Sequence, residues 1–228
     1  MISVIVPTLN EEANICELIT HIRSCEGGRG LDLIICDAPS STDKGFITAE
    51  KMGARALRSP KAYRSYQLNY GAQHARCDLL YFLHADARPP HNFVSQITES
   101  IQDFDFGIFA YRFDSQKRIL KMNSYFTKYD GLFAGGGDQS LFIKKEVFKS
   151  LGGYNVNLKI MEDFDFYKRA KKGNLKYTII KEPLLVSARK YRNNSWLKVN
   201  LINFSIFFLY WINGSQERMI ALNRRLQQ

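Results

Sequence analysis

Leu79-Leu80-Tyr81-Phe82-Leu83-His84-Ala85-Asp86-Ala87 is an apolar run that ends in a carboxylate. Five consecutive apolar residues predict a strand buried on both faces. The Asp at its C-terminal end falls where open α/β sheets bind ligands. Two earlier segments repeat the design. Ile2-Ser3-Val4-Ile5-Val6 runs into Pro7-Thr8-Leu9-Asn10-Glu11-Glu12, and Leu33-Ile34-Ile35-Cys36-Asp37 ends on an acid before a polar turn. Three strands thus carry Glu11, Asp37 and Asp86 toward one edge of one sheet.

Between these strands the apolar spacing is helical. Ile15, Leu18, Ile19 and Ile22 share a face over residues 11–24, with Asn10 as the expected N-cap. Further helices are expected over 44–52, 63–75 and 91–102, with a short strand at 54–58. The alternation predicts a mostly parallel sheet covered by helices on both faces. After residue 103 the pattern loosens. A strand is expected at Phe106–Phe113 and a helix from Ile119 to Phe133. The loop Gly135-Gly136-Gly137-Asp138-Gln139 precedes a strand at 140–143, and Met161-Glu162-Asp163 opens a helix. Two short strands flank Pro183, and two helices separated near Gly214 form the tail. With no repeat or linker, the 228 residues read as one domain, regular over 1–103, looser over 104–192 and ending in C-terminal helices over 193–228.

The net charge is +10, which suggests an anionic partner. Four scattered cysteines without a C-x-x-C pair argue against a disulfide scaffold and a structural zinc site, and fit a reducing cytoplasm. No signal peptide is read at the N-terminus. The apolar run 202–212 falls short of the roughly 20 residues a spanning helix needs.

Several side chains carry chemistry. Asp86 is a hard oxygen ligand for Mg²⁺ or Mn²⁺, or else a helix cap. Asp37 could accept from a base or ribose, or brace a turn. Arg64 could reach a phosphate or a base, or be a solvated helix residue, and Arg189 and Arg192 could clamp a diphosphate, or form an exposed basic turn. The glycine loop lacks the phosphate-loop pattern, so Asp138 and Gln139 read as substrate-facing groups. Glu162 and Asp163 supply a general base, or simply complement a helix dipole. His84 precedes Asp86 by two, which puts the pair on one face of a strand, and reads as a satisfied core histidine or a metal ligand.

In order, these segments resemble a bacterial subgroup of the family-2 glycosyltransferases, inverting enzymes of the GT-A fold. The matching residues are Val4–Glu12, Asp37 with Ser41-Thr42-Asp43, Arg64 with Gln67-Leu68-Asn69, Phe82–Asp86, Gly137-Asp138-Gln139, Met161-Glu162-Asp163 and Ser187-Ala188-Arg189. The resemblance implies that Pro7, Thr8, Glu11 and Asp37 hold the base and ribose of a UDP- or GDP-linked sugar. It also implies a single glycosyltransferase domain with a nucleotide-binding half (1–103), an acceptor-binding half (104–192) and C-terminal helices (193–228), in which Arg64 would lie near the base or diphosphate. Asp86 would match the last Asp of a metal-binding D-x-D, and Asp163 the catalytic base. His84 stands where that motif begins with Asp, and Pro39 where the base-binding turn commonly has glycine.

Two alternatives carry different expectations. A nucleotidyltransferase would place glycine and basic residues after the first strand, where this chain has Pro-Thr-Leu-Asn-Glu-Glu. A noncatalytic polyanion-binding module would show salt-sensitive binding, but no nucleic-acid motif is present. The basic charge and aromatic tail also raise peripheral binding to an anionic membrane, at the inner face of the plasma membrane, where an acceptor carried on a lipid would explain both, as against tail packing or a homodimer.

Overall fold

The computed structural model describes residues 1–131 and 134–226. In chain order the elements are β1 (Ile2–Thr8), α1 (Glu12–Ser24), β2 (Asp32–Asp37), α2 (Gly45–Lys51), β3 (Arg55–Arg58), α3 (Arg64–His74), β4 (Leu79–Phe82), β5 (Ala87–Arg88) and α4 (Phe93–Asp103). There follow β6 (Phe106–Phe113), α5 (Arg118–Phe126), β7 (Leu141–Lys144), α6 (Lys145–Ser150), α7 (Glu162–Lys172), β8 (Tyr177–Val186), α8 (Trp196–Trp211) and α9 (Gln216–Arg224). Short 3₁₀ turns lie at Gly28–Gly30, Gly137–Gln139 and Arg189–Tyr191.

The strands form one sheet in the order β3-β2-β1-β4-β7-β6-β8-β5. The first four run parallel, and β7 reverses the direction against both β4 and β6. Period-two alternation along β1 divides the core. Val4 and Val6 meet residues of α1, α4, α8 and α9 on one face. Ile5 meets α3 on the other, where α6 and α7 also pack. Gly71 permits the close approach of α3, because a Cβ there would lie 2.5 Å from Ile5 and 2.8 Å from the Cys36 sulfur.

The buried strands and most helices lie where their patterns predict. The expected cap does not: Asn10 adopts φ 54° and its Oδ1 accepts from the Thr42 N–H at 2.7 Å, so it ties two loops together while Glu11 occupies the cap position. The two short strands around Pro183 are one strand, β8. Residues 181–183 bulge where Ile180 pairs Phe109 and Leu184 pairs Tyr111, which accommodates a proline that lacks an N–H. Helix α5 stops at Phe126, and the expected end of that helix at Phe133 lies outside the described residues. His84 and Asp86 are not on a strand face. β4 ends at Phe82, and the two residues occupy the turn into β5.

Candidate active site

The site lies where β1, β2 and β4 end and the reversed half of the sheet begins. Gln67 fixes two of those ends by donating to the Thr8 and Cys36 carbonyls at 2.8 and 2.7 Å. Asp37 is buried there. It accepts from Thr8 Oγ1 at 3.0 Å and from Arg58, whose guanidinium also stacks on Phe46 at 4.6 Å. Pro7 lies opposite Cys36 in the same register.

One step along the edge, Arg189 bridges the other two predicted acids. It reaches Glu11 Oε1 at 3.2 Å and Asp86 Oδ2 at 3.3 Å. Burial pushes the Asp86 carboxyl up, against the pull of Arg189. Asp86 caps no helix, since α4 starts at Phe93 with Asn92 before it. Arg192, three residues beyond Arg189, is exposed near Asp114 and stands apart from the cluster.

On the opposite wall, Met161 adopts a left-handed φ of 69° and turns the chain so that α7 opens with Glu162 and Asp163. That backbone state is costly for a non-glycine residue and aims both acids at the start of α3. Arg64 donates through Nε to Glu162 Oε1 and through Nη2 to Asp163 Oδ2. Its Nη1 donates to His84 Nε2 at 3.1 Å, which leaves the ring proton on Nδ1. Burial and the Arg64 charge push the His84 imidazolium pKa down to about 3, so the ring is neutral. Glu162 is fully buried, and its Oε2 has no hydrogen-bond partner among the described residues. Burial, reinforced by Glu162 and Asp138 and opposed by Arg64, pushes Asp163 up to about 7.

The glycine loop closes over this group. A Cβ on Gly137 would lie 2.5 Å from Asp163 Oδ2 and 2.7 Å from the His84 ring, so only glycine fits. Asp138 pairs with Lys190 at 3.3 Å, and although burial opposes ionisation, Lys190 holds its carboxyl below the usual range. Gln139 is buried and spends its amide within the loop, accepting from the Gly135 N–H at 2.7 Å and donating to the Thr127 carbonyl at 3.3 Å. Lys190 was not singled out from sequence. Its signal was its place beside Arg189 after a strand, which an exposed basic turn would share.

No group of three or more His, Cys, Asp and Glu side chains gathers as a ready metal cage among the described residues. The donor set still fits a hard divalent cation of the kind that takes one or two carboxylates and completes its shell with substrate phosphates. Asp86 would supply the protein oxygen.

The family model described as "Glycosyl transferase family 2" matches residues 3–148, more than half of the chain. The chain belongs to glycosyl transferase family 2. No curated protein matches it. Among solved structures, S. aureus TarS 1-349 in complex with UDP has a TM-score of 0.68 at 14% identity, covering 91% of this chain and 65% of that one. A mannosyltransferase from Pyrobaculum calidifontis in complex with GDP-Man and Mn²⁺ has a TM-score of 0.68 at 16% identity, covering 99% and 69%. Glucosyl-3-phosphoglycerate synthase from Mycobacterium tuberculosis, with Mn²⁺, UDP and phosphoglyceric acid, has a TM-score of 0.62 at 18% identity, covering 92% and 78%. These likenesses bear out the expected GT-A fold. The family-2 chain thus spans about two thirds of the TarS and mannosyltransferase chains.

Proposed function

We propose that the chain is an inverting glycosyltransferase using a UDP- or GDP-linked sugar. The observation that carries this reading is the pairing of two walls. Asp86, Arg189 and Glu11 stand on the strand-end side, and Asp163 is held by Arg64 beside His84 and the tight Gly137 loop. The first wall suits a diphosphate and the second a general base.

In this reading Pro7, Thr8 and Asp37 line the base and ribose site, with Asp37 braced by Arg58. Glu11 and Arg189 lie next to the diphosphate. Arg64 would serve the donor only by sharing its guanidinium with Glu162 and Asp163, so its main part is to turn Asp163 toward the acceptor. Asp138 and Glu162 border the acceptor side, and Gln139 acts by holding the glycine loop in shape.

The acceptor hydroxyl gives its proton to the Asp163 carboxylate as its oxygen attacks the anomeric carbon. The bond from that carbon to the diphosphate oxygen breaks on the opposite side, and its electron pair leaves on the diphosphate. One displacement inverts configuration. Arg189 meets the charge that develops on the leaving group. A divalent cation held by Asp86 would add Lewis-acid stabilisation of the diphosphate.

The nucleotidyltransferase alternative has less support, because Glu11 in the loop after β1 already pairs with Arg189 and offers no phosphate cradle. Calorimetric titration of UDP and GDP, with and without Mn²⁺, tests the proposal. Metal-dependent binding that is lost in Asp86→Ala is the expected result. Failure of both nucleotides to bind folded protein would overturn it.

A further inference from the structure

Helix α8 has two apolar faces, and the fold uses one. Val199, Ile202 and Ile206 are buried against the core. Leu197, Leu201, Phe204, Phe208 and Trp211 recur at spacings of four and three on another side, and each is 53–65% exposed. An amphipathic surface helix would carry charge on that side. Helix α5 shows the same anomaly: Leu120 and Ser124 face inward, while Met122, Tyr125 and Phe126 are exposed. The N-terminal end of α5 is tied to the turn that leads into α8, since Lys117 Nζ donates to the Tyr191 carbonyl at 3.1 Å.

The segments that carry these faces are basic, with acids only at their borders, Asp114 and Asp130 beside the first and Glu217 beside the second. Residues 115–129 hold four cations and no acid, and so do residues 187–216. Arg189 and Lys190 belong to the site already described and Arg192 lies 4.0 Å from Asp114, which leaves Lys117, Arg118, Lys121, Lys128 and Lys198 on the segments that carry the exposed apolar side chains. No helix among the described residues is long and apolar enough to cross a membrane.

We infer that the α5 and α8 faces dock on an anionic lipid surface, with the bulky side chains entering the head-group boundary and the flanking cations neutralising lipid charge. A second copy of the chain is the competing occupant. A two-fold interface would set each cation cluster against its duplicate, whereas acidic lipid head groups complement both. The inference does not depend on glycosyl transfer, and its test reads no turnover.

The test is flotation of the full chain with vesicles of phosphatidylcholine, with and without one quarter phosphatidylglycerol. It is read alongside tryptophan emission. The chain has two tryptophans. Trp211 is 65% exposed, while the Trp196 indole nitrogen is buried, so a blue shift on vesicles that disappears in Trp211→Phe reports α8. The expected result is flotation with the acidic vesicles only. Partition should fall about tenfold or more in Lys121→Glu/Lys198→Glu, and similarly in Phe204→Ser/Phe208→Ser. The charge-reversed variant gives up one hydrogen bond, from Lys198 Nζ to Asn194 Oδ1 at 2.6 Å, and a thermal midpoint close to that of Lys198→Gln, which should still float, separates lost charge from lost fold. Absence of flotation at low salt, or flotation indifferent to both double variants, would overturn the inference. So would a dimer in sedimentation that Phe204→Ser/Phe208→Ser dissolves, since a second copy would then cover the stripe.

Discussion

Arg64 and Asp163 meet across the starts of two helices, the Nη2 of one donating to the Oδ2 of the other at 2.5 Å. Two opposed influences act on this carboxyl. Burial and the neighbouring Glu162 favour its neutral form, while Arg64 favours the carboxylate. A general base needs this balance, because a group already ionised far below working pH takes protons poorly.

If Asp163 is the base, Asp163→Asn should lower nucleotide release from a sugar donor by about 10²–10⁴-fold. Binding of UDP or GDP should stay within a few-fold of wild type. Parallel kinetics and calorimetry separate the two, and equal losses in both would remove Asp163 from the chemistry.

The pH profile should carry the same signature. Turnover should rise with pH as Asp163 loses its proton, with an apparent midpoint near the value of about 7 to which burial raises it. Glu162→Gln removes a like charge, so the rising limb should move to lower pH. Arg64→Gln removes the opposing cation, so the limb should move to higher pH. Shifts in the same direction from both variants would contradict the pairing.

Gly137 has no room for a methyl group beside Asp163 and His84. Gly137→Ala should therefore displace the loop or Asp163 and reduce turnover about tenfold or more, since small displacements of reacting groups are expensive. Circular dichroism should show the fold retained, and turnover near wild type would mean that the loop stands open during the reaction.

Asp32 anchors the start of β2, bonded to Arg55 at 2.7 Å, to Ser3 Oγ at 2.7 Å and to the Arg76 N–H at 2.9 Å. Burial opposes ionisation, yet these bonds hold the carboxyl below its ordinary range. Its contribution is therefore present above the unfolded value of about 3.9 and lost as pH falls toward the folded one. Asp32→Ala should cost roughly 2 kcal/mol at neutral pH. In urea titrations the gap to wild type should narrow on acidification.

The parallel half of the sheet was legible because buried strands and amphipathic helices write their periods directly into the sequence. Ile2–Val6, Leu33–Cys36 and Leu79–Leu83 needed no partner to be recognised. The reversed half was harder to read. Pro183 looked like a break, and only pairing with β6 shows it as a bulge within one strand. Glu11, Asp37, Asp86 and Arg189 were singled out from sequence, but most of the pairings in the site were not. Arg58, Lys190 and His84 are joined to Asp37, Asp138 and Arg64 by contacts between residues distant in sequence or across a turn, and local pattern does not encode such distances.

The turn that carries Asp86 is clamped at both ends. β4 lies in the sheet on one side, and on the other β5 pairs antiparallel with β8, Ala87 opposite Val186, three residues before Arg189. The carboxylate and the guanidinium are therefore mounted on a common frame, like the jaws of a fixed-gauge caliper. The backbone spacing between them cannot widen without unzipping β5 from β8, which leaves side-chain rotation of the half-exposed Arg189 as the adjustable part. If Asp86 and Arg189 hold the donor diphosphate as proposed, variation in sugar or acceptor would fall to the glycine loop and the start of α7, while that backbone gauge stays constant.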